Sequence, residues 1–535
     1  PGTHLHPHQT AAASSAAGSA LLIAPTGSGK TEAALLWLNQ QAALDGFAPA
    51  RVFYVLPYQA SMNAMHKRLG RTFDKEHIGL QHSHAQQAIY HTALSDTLST
   101  ESAMNIAQVN EEVSQLHRFP LNVQSPYQML KAPYQLKGHE ALFASFQGGR
   151  FILDEIHSYE PERLALIVGF IGFLREYAQA RFFIMSATMP KHIQEVLREA
   201  LPNLQQIEAA PSTFADFQRH RVYVLDGSLD DALDRIVADA AEGRSVLVCC
   251  NTVKRAKLIY ARLRELLPDH PIILAHSRFN SRDRSDKEQQ IMAQVGVGTD
   301  STGAKPIVVA TQVIEVSLNI DMDMLYSEVA PLEALLQRFG RVNRARQTKG
   351  TLADVYVVRE QPDDVRYLYS PDLLAAALKK LEEINGLPID ESKIGAWLDE
   401  IYAGAALDEW QTKYQESAAK FESEIIGTLK PFATSEDVEA MFYQMFNGLE
   451  VLPYQFLSEY ETLINSGNFL EASSLLVPLR WNQYKRLTLN GKAWRDTIQK
   501  GRYPTPVYLV DADYSPESGL DIEGALQVEI PLEAD

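Results

Sequence analysis

At 535 residues, with 46% hydrophobic and 22% charged residues, the chain has room for about three or four domains and an ordinary globular composition. A net charge of −18 excludes a generally basic surface and leaves only local basic channels for phosphate-bearing ligands. The two cysteines, Cys249 and Cys250, are neighbours in an apolar run, so they point to opposite faces of a strand and do not form a disulfide framework.

In chain order, the Ala/Ser run at 11–20 is assigned to a helix preceding the first strand. From 20 to about 210, short apolar runs alternate with helical periodicity, the pattern of a parallel α/β sheet. Strands are expected at 20–24, 52–56, 151–153 and 182–185. The apolar stretch 164–174 is too short to span a bilayer and is assigned to a buried helix. The pattern lapses at 211–219, where an interdomain linker is expected. A second alternating set follows, with strands at 221–225, 245–250, 272–275, 307–310, 324–327 and 354–358 and helices at 230–241 and 252–267. Past about 370, helices are expected at 373–384, 394–402 and 410–426, and from 450 a small β-containing domain. No signal peptide is visible, and the expectation is a cytoplasmic protein.

The chemistry starts at Ala24-Pro25-Thr26-Gly27-Ser28-Gly29-Lys30-Thr31, where an apolar strand runs through a Gly-rich turn into a helix. That is the context in which a Walker A loop is credible, although its first position is Ala24 rather than Gly. Glycines at 27 and 29 let backbone N–H groups converge on phosphates. Lys30 would reach the β- and γ-phosphates of a nucleoside triphosphate, and the Thr31 hydroxyl would ligate Mg²⁺. At the end of the strand 151–153, Asp154 would hold Mg²⁺ and Glu155 would orient the attacking water. Arg341 and Arg344, at i and i+3, would share one face of a helix and stabilise the γ-phosphate's developing charge from a second domain.

In order along the chain, these blocks resemble the superfamily 2 helicases. Asp154-Glu155-Ile156-His157 is similar to motif II, Ser186-Ala187-Thr188 to the coupling motif III, and Gln337 to Arg344 to motif VI. More narrowly, 310–321, His276-Ser277-Arg278-Phe279, 330–336 and 514–520 resemble the helicases of type I CRISPR interference. The resemblance implies two tandem RecA-like parallel-sheet domains, 1–218 and 219–369, followed by a mostly helical linker region, 370–450, and a small C-terminal domain, 451–535. It implies catalytic roles for Lys30, Asp154, Glu155, Gln337, Arg341 and Arg344, and an adenine-reading role for Gln9. Pro57 and Gln59, Ser125 and Gln128, Ser277 and Arg278, and Thr311 and Gln312 match segments that line a single-stranded DNA track. Each of these is read either as a phosphate contact or as a loop-structuring residue.

Most members of that family carry a nuclease domain marked by a His-Asp pair, and this sequence contains no His-Asp dipeptide. It therefore resembles the helicase-only, type I-D-like form, in which the nuclease sits on another subunit. His4, His6 and His8 are expected at a frayed terminus, and His82, His84 and His91 lack partners at ligand spacing, so no structural metal site is assigned. The expected function is an ATP-dependent single-stranded DNA translocase and helicase of 3′–5′ polarity, partnering a CRISPR interference complex and a separate nuclease subunit. The alternatives are a superfamily 2 RNA or repair helicase outside CRISPR, or a nucleotide-gated interaction subunit that does not unwind.

Overall fold

The computed structural model describes residues 4–526 except 17, 83, 84, 87, 91–105, 111, 112, 114–118, 300–302, 317, 345–350, 361, 363, 364, 366, 367, 431, 432, 434, 447, 501 and 502. His84, His91, Ser317 and the end of the basic run at 338–349 thus lie outside the described residues. The chain divides into two compact units, one of Pro1–Gln218 with Ile389–Phe446, the other of Arg219–Pro388 with Asn447–Asp535.

The first unit is built on β1 (Ser19–Ile23), β2 (Val52–Val55), β3 (Ile78–Gln81), β4 (Leu121–Gln124), β5 (Arg150–Asp154), β6 (Arg181–Ser186) and β7 (Leu204–Glu208). All pairings are parallel, in the order β3-β4-β2-β5-β6-β1-β7. Strand alternation splits the apolar residues between two cores: Leu21, Phe53, Phe151 and Phe182 face one, and Leu22, Tyr54, Ile152 and Phe183 the other. Burial on both faces explains the near-continuous apolar runs of β1, β5 and β6. β3, β4 and β7 were not anticipated: Gly79, Asn122 and Gln124 interrupt the apolar signal of β3 and β4, although both strands are almost wholly buried, and β7 carries Gln205, Gln206 and Glu208.

The apolar stretch at 164–174 is the middle of the helix Pro161–Tyr177, and its side chains from Leu164 to Leu174 are largely buried. Helices of the later segment, Ile394–Ile401, Ala405–Lys420 and Glu436–Phe446, belong to this first unit. Trp410, Phe421, Ile425 and Phe442 join its core. Close approach there requires Gly169, where an added Cβ would lie 3.1 Å from the Phe421 ring. The helix expected at 410–426 starts earlier, after Gly404 at φ 61, and ends in a π turn at Phe421–Ile425. The stretch expected to be a linker at 211–219 includes a short helix, Pro211–Asp216, entered through a proline at its first position.

The second unit carries β8 (His220–Leu225), β9 (Val246–Cys249), β10 (Ile272–Ala275), β11 (Ile307–Ala310), β12 (Met324–Glu328) and β13 (Ala353–Val358). Its order is β10-β11-β9-β12-β13-β8, again all parallel. Thr252 caps the helix Val253–Leu266 by accepting from the Arg255 N–H, and Asn280 caps Ser281–Val295 by accepting from the Asp283 N–H at 2.8 Å. Cys249 and Cys250 are both buried, and burial pushes the Cys249 thiol up to about 12. The helix expected at 230–241 begins only at Leu233. The C-terminal portion adds β14 (Leu449–Pro453), β15 (Val477–Leu479), β16 (Ala493–Lys500) and β17 (Tyr503–Val510) in the order β15-β14-β17-β16, then the short hairpin β18 (Tyr514–Ser515) and β19 (Gly519–Leu520).

Candidate active site

β1, β6 and β5 are neighbours in the first sheet, and their parallel register brings Ile23 opposite Ser186 and Asp154 opposite Met185. One carboxyl edge therefore gathers the Gly-rich loop, the Ser186–Thr188 turn and the Asp154–Glu155 pair, in the crevice where open α/β sheets bind ligands. Gly27 and Gly29 both sit at φ 86, a left-handed conformation that a Cβ would strain. Gly29 is the N-cap of the helix Lys30–Leu44, and no side chain caps it. Its first-turn N–H groups are thus an anion-binding terminus.

The helix Pro7–Ala13 buttresses this loop. Its Gln9 accepts from the His6 N–H at 2.9 Å and donates to the Gly29 carbonyl at 3.2 Å. His8 lies 3.0 Å from the Ser28 carbonyl, buried, with His6 stacked at 5.4 Å. Residues 6–9 are therefore ordered into the site, contrary to the expected frayed terminus, and the helix expected across 11–20 ends at Ala13. Burial holds His8 below its ordinary range, so it serves as a neutral hydrogen-bonding group. The Pro7-His8-Gln9 sequence was the only signal of it.

Lys30 Nζ donates to the Ala24 carbonyl at 3.2 Å and lies 3.7 Å from Glu155. Arg68 donates to the Thr31 hydroxyl at 3.2 Å and pairs with Glu32. Tyr54 donates to Asp154 at 3.3 Å. Neither Tyr54 nor Arg68 stood out in the sequence, one hidden in an apolar strand and the other in a basic helix end. Glu155 adopts φ 55, rare for a residue with a Cβ and a form of strain found at functional sites. The Ser186 hydroxyl accepts from the Thr188 N–H at 3.0 Å, and its one hydrogen has three acceptors in reach, the Thr188 carbonyl at 2.5 Å, His157 at 2.9 Å and Glu155 at 3.2 Å. The serine of the second turn is thus the hub between Glu155 and His157. Ala187 separates the two hydrogen-bonding residues of that turn.

Burial, followed by the neighbouring Glu155 charge, pushes Asp154 up to about 7, with Lys30 opposing. Two carboxylates packed together in this way fit a divalent cation, whose charge would relieve both. The Ser28 hydroxyl is buried without a hydrogen-bond partner among the described residues, on a loop whose backbone is shaped for phosphate. Pro25, Thr26, Gly27, Ser28, Gly29, Lys30 and Thr31 thus fit a nucleoside triphosphate, and Thr31 with Asp154 fits Mg²⁺.

In the second unit, the helix Leu332–Phe339 carries Gln337 and ends at Gly340. Arg341 and Arg344 lie beyond it and share no helical face, correcting the expected i, i+3 arrangement. Val342 instead bridges Met322, and Asn343 turns at φ 49. Arg341 donates to the Leu318 carbonyl at 2.8 Å and to the Glu315 carbonyl. The Arg344 N–H donates to Asp321 at 2.7 Å. The residue that sequence reasoning missed is Arg338, fully buried, which donates to Glu315 (2.9 Å), Ser327 (2.8 Å) and Asn251 (3.0 Å). Burial raises Glu315, with Arg338 opposing.

Of the expected track residues, Pro57 and Gln59 follow β2 and Ser125 and Gln128 follow β4, on the same carboxyl edge as the Gly-rich loop. Gln59 is exposed and Ser125 is buried. In the second unit Ser277 and Thr311 follow the adjacent strands β10 and β11, and the Thr311 N–H donates to the Ala275 carbonyl at 3.2 Å. Gln312 donates to the Asn251 carbonyl at 2.8 Å. Arg278 is buried and paired with Glu523 at 2.7 Å, an internal ion pair rather than an exposed wall.

Residues 6–196 match the DEAD/DEAH box helicase family, and 242–347 match the C-terminal part of the CRISPR-associated nuclease/helicase Cas3 family. The putative CRISPR-associated nuclease/helicase Cas3 of Methanocaldococcus jannaschii is 27% identical over 392 residues, 71% of this chain and 52% of that protein. The CRISPR-associated endonuclease/helicase Cas3 of Escherichia coli K12 is 28% identical over 447 residues, 74% of this chain and 49% of that protein. The chain spans about half the length of these curated relatives. Among solved structures, T. fusca Cas3 with AMPPNP superposes with a TM-score of 0.74 at 18% identity, covering 97% of this chain and 71% of that one, which is a likeness of fold.

Proposed function

We propose that this chain, similar to the Cas3 helicases in sequence and fold, is an ATP-driven motor that travels 3′ to 5′ on single-stranded DNA in CRISPR type I interference. The observation that carries the reading is the convergence of Lys30, Asp154, Glu155 and Ser186 on the carboxyl edge of three adjacent strands. Lys30 holds the β- and γ-phosphates, and Thr31 and Asp154 hold Mg²⁺, which neutralises charge on the phosphate oxygens when bound. Glu155 orients the attacking water and takes up its proton. Ser186 keeps the Glu155 carboxylate aimed and links it to the 186–188 turn, which couples hydrolysis to strand movement. Gln9 reads the adenine side from the loop it buttresses. Gln337, Arg341 and Arg344 would be the second domain's contribution to transition-state charge, Arg341 first exchanging its bonds to the Leu318 and Glu315 carbonyls for phosphate.

The strand contacts are assigned to Pro57, Gln59, Ser125, Gln128, Ser277, Thr311 and Gln312, where amides, hydroxyls and backbone N–H groups suit sequence-independent phosphate contact. Arg278 is left out, because its guanidinium is committed to Glu523. These 535 residues contain no His-Asp pair, so the reading gives them no nuclease chemistry. The CRISPR assignment rests on the Cas3 matches, and a CRISPR RNA-guided surveillance complex shares the fold at a TM-score of 0.61. The test is strand displacement on tailed duplexes with ATP and Mg²⁺. A 3′-tailed duplex should be unwound, a 5′-tailed one should not, and neither should be cut. ATP hydrolysis without displacement of either would instead leave a nucleotide-gated interaction subunit.

A further inference from the structure

Between Arg480 and Arg502 the sequence places seven basic residues against a single acidic one, Asp496, in a chain whose net charge is −18. This stretch lies outside both family matches, which end at residue 347. The helix Trp481–Leu489 packs on one face of β16 and β17, with Tyr484 and Leu487 buried against Ala493 and Val510. Cross-strand partners Arg495 and Tyr508 share that face, the guanidinium 5.8 Å from the ring centroid. Trp481 stands edge-on to both Tyr484 and Tyr508, at 5.9 and 5.8 Å, yet remains 44% exposed. Lys485 follows Trp481 by one helical turn on the same side, and Arg480 immediately precedes it. Strand alternation sends Asp496 to the other face.

These cations differ from most arginines elsewhere in the unit. Arg244, Arg255, Arg278, Arg338 and Arg359 are each held by a carboxylate. Among the described residues, no carboxylate pairs with Arg480, Lys485 or Arg495. A half-exposed indole supported by two tyrosines and ringed by uncompensated cations is the chemistry that binds single strands, with bases stacking on the ring and phosphates meeting the charges.

We propose that Trp481, with Arg480, Lys485 and Arg495, forms a second single-stranded DNA contact, separate from the motor's own track. That the strand is DNA rests on the proposed function, whereas the stacking and phosphate contact do not. The surface would hold the strand through steps in which the motor releases its grip.

The test uses the full chain without nucleotide and a labelled oligothymidylate. Arg480→Glu, Lys485→Glu and Arg495→Glu combined should weaken binding at least tenfold at low salt and reduce the slope of log affinity against log salt by roughly 2, at about 0.7 per single-strand phosphate contact. Trp481→Ala should weaken binding by roughly fivefold or more. Basal ATPase should not change in either variant. In the wild type, an oligonucleotide carrying iododeoxyuridine should photocrosslink to Trp481. Unchanged affinity and salt slope in the triple variant would overturn the proposal. Loss of poly-glutamate binding with oligothymidylate binding intact would overturn it in favour of an acidic protein partner. If single-stranded DNA fails to stimulate the wild-type ATPase but the variants still lose oligothymidylate, the motor reading fails and this contact stands.

Discussion

Glu155 carries the most chemistry per atom in this molecule, and its setting shows what each neighbour does. Its left-handed backbone turns the carboxylate off the end of β5, where the Ser186 hydroxyl lies 3.2 Å and Lys30 3.7 Å away. Glu155→Gln keeps the size and a hydrogen-bonding amide but removes the carboxylate proposed to activate water. ATP binding should stay within a few fold while turnover falls by orders of magnitude, since positioning and electrostatics supply nearly all of the catalysis in phosphoryl transfer. Single-turnover hydrolysis alongside equilibrium nucleotide binding checks this, and near-normal turnover would remove Glu155 from the mechanism. At this scale the sequence displayed the reactive groups but not their supports. Lys30, Thr31, Asp154 and Glu155 stand in short, ordered motifs. Tyr54 and Arg68 act through contacts far apart in sequence, and no local pattern announces them; His8 and Arg338 lie inside recognised stretches, but their partners, the Ser28 carbonyl for one and Glu315, Ser327 and Asn251 for the other, are not adjacent in sequence.

Among the elements, the β18–β19 hairpin has the least obvious purpose in sequence and a clear one in the structure. It clasps the loop that follows β10: His276 lies 3.1 Å from the Ser518 carbonyl, the Leu520 N–H donates to the Arg278 carbonyl at 2.9 Å, and Tyr514 donates to Asp283 at 2.5 Å. Gly519 makes the approach possible, at φ 69 and with no room for a Cβ, which would lie 2.6 Å from the Arg278 carbonyl oxygen. Gly519→Ala should therefore loosen the hairpin, and amide exchange at 276–280 should speed up while exchange in β1 stays as it was. Equal protection in the variant would show that the loop stands without the hairpin. The strands that sequence patterning found are those with apolar or alternating runs, whether buried on both faces like β9 and β11 or half-exposed like β8. β3 and β4 carry Gly, Asn and Gln where periodicity looks for apolar residues, and the breaks at Ala13 and Phe339 depend on tertiary contacts and on a glycine.

For the molecule as a whole, several histidines are buried in neutral form. Burial lowers His220 to about 3, and the Val342 carbonyl lies 2.8 Å from its ring nitrogen. Burial lowers His276 to about 3 and His192 to about 4. With folded values below the ordinary 6.5, the unfolded chain binds more protons as pH falls, so their contribution to stability is complete above about 6.5 and drains away below it. The raised Asp154 acts in the opposite sense, so the cleanest reading comes from a difference. In urea unfolding between pH 7.5 and pH 5.5, His220→Gln should flatten the loss of stability by about 1.4 kcal/mol per pH unit near the acid end. A wild-type and variant pH dependence that run parallel would contradict it. The apolar run at 164–174 belongs to a buried helix, and among the described residues no helix is long and apolar enough to cross a membrane.

The central claim is that the nucleotide site on the first sheet drives movement on a single strand. ATPase rates measured side by side with single-stranded DNA, single-stranded RNA, duplex DNA and no nucleic acid, for the wild type and Glu155→Gln, test it most directly. The account predicts strong stimulation of the wild type by single-stranded DNA, little by duplex or RNA, and none in the variant. Equal rates with and without single-stranded DNA, or preferential stimulation by RNA, would contradict it.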